Sequence, residues 1–265
     1  EHEFPRSIAN RTTPEELPRM TLQTAFHRRT SALTQRFIEY RGYWLPSEFE
    51  GWGRRAEYLA CRERVAVMDL TPLRKFEVVG PDAERLLQYA LTRNVRRLSV
   101  GEVAYSAACN ETGGMLDDGT LFRMGEQAFR WICGDPYSGI WLRELASRQG
   151  YKVSIRESTQ QLHNLAIQGP FSRELLSQLV WNAETQTSVA QLSWFHFMIG
   201  RLGGPDGIPL MVSRTGYTGE LGFEVWCHPD HGERLWDTIW EAGQAFGLAP
   251  LGLDALDMLR IEAGL

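Results

Sequence analysis

Apolar positions along the chain change their period several times, and each change marks an element. Lys75 to Val79 reads as a strand, with Phe76 and the Val78-Val79 pair, and Gly80-Pro81-Asp82 then opens a helix whose apolar face is Leu86, Leu87, Ala90 and Leu91. The apolar run Leu165 to Ile167 predicts another strand, followed at Pro170 by a helix carrying Leu175, Leu176 and Leu179. Gly203-Gly204-Pro205-Asp206-Gly207 is a dense turn signal ahead of the apolar run Ile208 to Val212, which predicts a hairpin. Leu235, Trp236, Ile239 and Trp240 recur at helical spacing, so these tryptophans belong in a core, a ligand-stacking surface being the alternative. Short connections make several strands antiparallel, and the class is α+β or mixed α/β. Residues 1–30, rich in Arg, Glu, Pro and Thr with sparse apolar positions, read as an N-terminal arm, and residues 31–265 as the folded body.

Composition narrows what that body can do. With 28 basic and 33 acidic residues, a net charge of −5, the chain lacks the footprint of a nucleic-acid binder. No run approaches the ~18 apolar residues of a membrane span, and the charged start has no apolar signal-peptide core, so a cytoplasmic location away from membranes is expected. Four scattered cysteines without a CxxC suggest neither a zinc site nor a disulfide framework; no metal is expected, and the cysteines read as small buried hydrophobes. There is no initiator Met, and the sequence stops at Ile261 to Leu265 directly behind an apolar-periodic stretch, which reads as a cut.

Nucleotide-loop, zincin and α/β-hydrolase motifs are absent from the sequence. His196, within Trp194-Phe195-His196-Phe197, is expected as a packed histidine on an aromatic strand, and Ser193 nearby has no base-and-orienter arrangement. Two segments stand out. In Asn110 to Phe122, a Gly113-Gly114 turn launches a strand interrupted by Asp117-Asp118. Adjacent strand residues point to opposite faces, so one carboxylate turns into the protein unless both are hydrated at a turn or edge. In Ser213 to Val225, Gly216, Gly219 and Gly222 imply tight turns or close approach to a ligand. Glu224 then stands over a surface kept clear by Gly222, a fitting acceptor for the N–H donors of a heterocycle; a Gly-rich hairpin with a solvated Glu is the alternative.

Arg214-Thr215-Gly216-Tyr217-Thr218-Gly219-Glu220-Leu221-Gly222-Phe223-Glu224 resembles the RTGYTGExGFE signature of the tetrahydrofolate-dependent aminomethyltransferases, the family of the glycine cleavage system T-protein. Phe37 to Pro46 is similar to its FxGWxxP segment and Cys61 to Leu70 to RxxxxxFDVS. Gly113 to Asp118 resembles GGxxDD, Leu165 to Pro170 LALQGP, and Leu259 to Gly264 LRLEAG. The match spans residues 21–265. The resemblance implies an α+β fold of two interwoven lobes around a folate channel, with the family's C-terminal β-barrel domain absent from this chain. It also implies tetrahydrofolate as cofactor, Asp117 as the catalytic carboxylate, and Glu224, Tyr105, Tyr217 and Asp135 as folate-binding residues. A buried carboxylate near the folate N5 would fix the ring and stabilise positive charge developing on nitrogen. The expected reaction moves an aminomethyl-derived one-carbon unit from a small-molecule donor to N5 with release of an amine.

The chain departs from the family pattern in places. Leu256 replaces an Arg that helps hold folate, Gly134 and Asp135 stand where an Asn contacts the pterin, and Thr71-Pro72-Leu73 replaces SHM. A folate-dependent demethylase of a small methylated compound is therefore the alternative, although the retained GGxxDD favours aminomethyl chemistry. A non-catalytic folate-binding module would carry a KGCYxGQE-type cysteine motif, which this chain lacks. Docking of a lipoyl carrier protein stays open.

Overall fold

The computed structural model describes residues 21–265. Helix α1 (His27–Thr30) and a ribbon of β1 (Phe37–Tyr40) and β2 (Tyr43–Pro46) lead into α2 (Arg54–Glu63) and β3 (Val65–Asp69). A continuous block follows: β4 (Arg74–Val79), α3 (Ala83–Ala90), β5 (Val103–Cys109), β6 (Met115–Gly125), β7 (Ala128–Cys133), α4 (Tyr137–Gln149) and β8 (Ser154–Glu157). The rest comprises β9 (His163–Gln168), α5 (Ser172–Leu179), β10 (Val180–Trp181), β11 (Phe197–Leu202), β12 (Ile208–Ser213), β13 (Gly222–Cys227), α6 (Gly232–Gly243), β14 (Leu248–Pro250) and α7 (Leu253–Ala263).

Two large sheets result. The block from β4 to β8 forms a five-stranded sheet in the order β5-β6-β7-β4-β8, while β3 before it and β9 to β14 after it form a seven-stranded sheet in the order β10-β11-β12-β13-β9-β3-β14. One sheet is thus inserted into the other along the chain, which gives the interweaving of lobes that the resemblance implied. Pairing is antiparallel except between β14 and β3.

The elements follow the sequence pattern. The turn at 203–207 joins β11 to β12 with Leu202 opposite Ile208, and α3 buries Leu86, Leu87 and Ala90, with Leu91 buried at its end. Trp236 is buried and stacks on Trp240 at 5.7 Å between ring centroids, so the tryptophan pair is core. Cys61, Cys133 and Cys227 are buried and free.

Packing fixes where a site can lie. One face of the seven-stranded sheet carries Val67, Ile167, Val212, Phe223 and Val225 under α5 and α6. The outer face of the five-stranded sheet carries Phe76, Val78, Leu121, Phe129 and Trp131 under α3 and α4. The remaining face of the larger sheet is shared: α2 and α7 cover Ala66, Met68 and Ala166, and the smaller sheet covers Met211 and Trp226 with Val103, Phe122 and Ile132. Central strands β9 and β13, covered on both faces, are buried at every residue. A polar side chain on the shared face is therefore held between the sheets.

Part of the expected arm belongs to the body. Residues 1–20 lie outside the described part, but Phe26 is fully buried among the strands and α6, and Arg29 donates to both oxygens of Asp237 at 2.6 and 2.7 Å. Burying a phenylalanine contributes about 1.5–3 kcal/mol, so the segment 21–30 is a docked piece of the fold. His196 also departs from expectation. It follows a turn in which Phe195 has φ 56°, is 41% exposed at its side chain, and lies 3.6 Å from Glu102.

Candidate functional site

The pleat of β6 separates the two aspartates. Asp117 points to the helix-covered side. Its Oδ1 accepts from Asp118 N at 2.9 Å and Gly134 N at 3.2 Å, and its Oδ2 from Asp135 N at 3.0 Å and Ser138 Oγ at 2.6 Å. Four donors, three of them around the start of α4, fill the carboxylate and tie β6 to the loop after β7. Asp118 points the other way, toward the larger sheet, and the only hydrogen bond to its carboxylate among the described residues comes from the Tyr105 hydroxyl. That bond, then partial burial and the nearby charges of Asp118 and Tyr217, push the Tyr105 hydroxyl up to about 12. Asp117, the carboxylate expected to be catalytic, thus accepts four hydrogen bonds, and Asp118 accepts one.

Glu224 faces the gap between the two sheets. It sits opposite Ser213 on β12 and is 8% exposed, with Oε2 accepting from Thr215 Oγ1 at 2.8 Å. Among the described residues Oε1 has no hydrogen-bond partner. Burial raises its pKa, opposed by the Thr215 bond and the Lys75 charge. Across the gap on β4, Lys75 is fully buried and donates to Thr71 O at 2.6 Å and Leu73 O at 2.8 Å. Asn164, cross-strand partner of Trp226 and equally buried, has neither its Oδ1 nor its Nδ2 paired. Buried polar atoms are rarely left so. Among the described residues, Glu224 Oε1 and the Asn164 side-chain amide are thus left without protein partners.

The surface over Gly222 is not clear. Gln168 fills it: a Cβ at Gly216 or Gly222 would run into the Gln168 side chain. The Gln168 amide donates to Thr215 O and Phe223 O, both at 3.2 Å, and accepts from Thr218 Oγ1 at 2.9 Å. Gly219 has φ 78°, and a Cβ there would stand 2.7 Å from Ala263 Cβ. The three glycines therefore admit other parts of the chain, and that packing holds Thr215 and Glu224 in place.

Arg62 joins three of the sequence segments. It donates to Thr218 O at 2.9 Å and Glu220 at 3.0 Å in the Gly-rich segment, and to Leu259 O at 3.3 Å and Glu262 at 2.8 Å on α7. Tyr217 is 43% exposed beside Tyr105 and Arg260, at the margin of the gap. Asp135 is not part of this group: it is exposed, and its carboxylate accepts from Tyr137 N at 2.7 Å as a local turn. The departures from the family pattern also find their places. Leu256 is buried under α2, and Gly134 leaves room for the Arg41 guanidinium, which donates to its carbonyl. Sequence reading missed Lys75, Thr215, Gln168 and Asn164. Lys75 had a visible signal, being one of two lysines in the chain and lying within an apolar strand.

Fold and site together define an α+β body that carries Lys75, Asp118 and Glu224 between its two large sheets. The model of the GCVT N-terminal domain family matches residues 26–265, and the chain belongs to that family of aminomethyltransferases and related enzymes. It is similar to a trimethylamine-oxide aldolase of Ruegeria pomeroyi, 53% identical over 262 residues, which covers 99% of this chain and 33% of the relative. An aminomethyltransferase of Streptomyces avermitilis is 34% identical over 249 residues, covering 94% of this chain and 63% of its own length. The crystal structure of the glycine cleavage system aminomethyltransferase T from Bartonella henselae superposes with a TM-score of 0.78 at 26% identity, covering 92% of this chain and 63% of that one. The chain thus spans about a third of the aldolase and less than two thirds of these aminomethyltransferases.

Proposed function

We propose that this chain binds tetrahydrofolate between its two large sheets and serves as a folate-dependent one-carbon transferase. The observation that carries the reading is Glu224: a buried carboxylate with one oxygen held by Thr215 and the other free, in the gap that Asp118 and Tyr105 also face. Tetrahydrofolate, when bound, supplies a nucleophilic nitrogen for the one-carbon unit. Glu224 accepts the N–H donors of the heterocycle and sets its orientation, with the unpaired Asn164 amide as a further donor and acceptor. Tyr105 and Tyr217 wall the open side. Asp118, oriented by the Tyr105 hydroxyl, takes the proton-handling role and opposes positive charge developing on nitrogen. Asp117 keeps the sheet edge and the start of α4 in register.

The donor we propose is an amine-borne one-carbon unit. The aminomethyltransferase relatives support an aminomethyl group; the similarity to an enzyme named for trimethylamine oxide supports a methylated amine or its oxide. Docking of a lipoyl carrier protein goes with the first donor and not with the second. Products formed from tetrahydrofolate with each donor decide between them, with Glu224→Gln as control. Folate-dependent turnover in wild type and at least about tenfold weaker folate binding in the variant are expected; a Gln variant equal to wild type contradicts the reading.

A further inference from the structure

The two sheets part a second time, away from Glu224. Met124 on β6 and Arg130 on β7 of the smaller sheet, with Ile199, Pro209, Met211 and Trp226 of the larger one, line an open cleft of about 290 Å³. Met124 lies roughly 20 Å along β6 from Asp118. On the strand between them, Phe122 packs on Phe197 and Trp226 at 5.6 and 6.1 Å between ring centroids. Asp118, Glu224 and Tyr105 do not line the cleft. Its walls are apolar but for basic side chains. His228 and His231 stand together just after β13, 6.3 Å apart between ring centroids. The Arg130 side chain is 15% exposed, and its Nε donates to Glu77 Oε1 at 2.6 Å. The rest of the guanidinium is poorly served: Nη1 has the Met211 thioether at 3.5 Å, and Nη2 has no hydrogen-bond partner among the described residues.

A guanidinium largely withdrawn from water needs acceptors, and a thioether sulfur is a weak one. An anion at the Nη edge of Arg130 receives the charge-assisted, two-pronged hydrogen bonds that Arg makes with carboxylates. Among the described residues no Asp or Glu lines the cleft to take that place. Glu77 is engaged at Nε and by Ser158 Oγ at 2.8 Å, and Asp230, 80% exposed at its side chain, pairs with His228 at 3.3 Å. The apolar lining has no polar group to offer a ligand: the Trp226 N–H is held by Ser213 Oγ at 3.3 Å, so covering Met124, Ile199, Met211 and the indole face with an apolar body is favourable. We propose that this cleft is a second ligand site, separate from the folate site, which takes a small carboxylate with a compact apolar body. The carboxylate rests on the Nη edge of Arg130 and the body against Ile199, Met211 and Trp226. The volume lies at the lower end of the ~300–1,000 Å³ of small-molecule sites, which suits a molecule well short of tetrahydrofolate in size.

Calorimetric titration of the whole chain with 2-naphthoate tests this, beside 2-naphthamide, which has the same shape without the charge. Arg130→Met removes the cation. Ile199→Glu, at a wall residue that is 53% exposed and so tolerant of a polar side chain, sets a like charge in the cleft. Circular dichroism checks that each variant is folded. The expected result is saturable naphthoate binding with a Kd below about 1 mM, naphthamide at least about tenfold weaker, and a loss of at least about tenfold in each variant. Glu224→Gln leaves naphthoate binding unchanged, and tetrahydrofolate does not displace it. Absence of binding at millimolar naphthoate, an equally tight naphthamide or undiminished binding in Ile199→Glu overturns the proposal. Displacement by tetrahydrofolate overturns it as well, because it puts the carboxylate in the other site. Should Arg130→Met not fold, Ile199→Glu and the amide carry the test.

Discussion

At the residue scale, environment and not identity separates the two aspartates. Asp117 receives four hydrogen bonds, and Asp118 one. Asp117→Asn turns one accepting oxygen into a donor that faces N–H or O–H groups, so it is expected to cost about 1–3 kcal/mol of stability, read as a lower melting temperature. Asp118→Asn keeps the shape and removes the open charge, so turnover is expected to fall by about a hundredfold or more at unchanged stability. The reverse pattern would return the chemistry to Asp117. His163 makes a separate prediction. Burial lowers its pKa from 6.5 to about 4, so the unfolded chain binds a proton that the native chain refuses. Stability from this residue is complete above about 6.5 and is lost as pH falls toward about 4, amounting to about 3 kcal/mol. His163→Asn, which keeps an acceptor for Ala25 N, should flatten urea-derived stability over that window; an unchanged slope would refute the assignment.

At the element scale, the Gly-rich segment and β9 work as one unit through Gln168. Gln168→Ala leaves Thr215 O and Phe223 O without their donor and opens a void, with an expected loss of about 2–4 kcal/mol. Gly222→Ala pushes a methyl group into the Gln168 side chain and should cost about 1–3 kcal/mol. The double variant relieves that collision, so the two losses should fall short of adding; strict additivity in denaturant melts would contradict the coupling. This unit also shows where sequence reading ends. Period and turn residues located β4, α3, β9, α5, the 203–207 hairpin and α6, because those signals are local. The glycines at 216 and 222 were visible as requirements for close approach, but the group that approaches them is Gln168, from another strand some fifty residues away. Likewise the alternation of β6 required Asp117 and Asp118 to part, while which face held the gap depended on how the two sheets pack. The resemblance named the segments; the partners inside each segment came from tertiary contacts.

At the scale of the molecule, a five-stranded sheet inserted into a seven-stranded one leaves a shared face that carries charged side chains. Lys75, Asp118 and Glu224 reach it from β4, β6 and β13, and Arg62 ties the Gly-rich segment that carries Thr218 and Glu220 to α7. Arg62→Met frees that segment, so a loss of about 2 kcal/mol in stability is expected, together with weaker folate binding; a variant with wild-type melting and affinity would dissociate the staple from the site. The central claim is that the chain holds tetrahydrofolate between its two large sheets through Glu224. Its most direct test is calorimetric titration of the chain with tetrahydrofolate near neutral pH, wild type beside Glu224→Gln. Saturable one-to-one binding that the Gln variant weakens at least about tenfold is the result expected; no heat of binding at millimolar folate, or equal affinity in the two proteins, would contradict it.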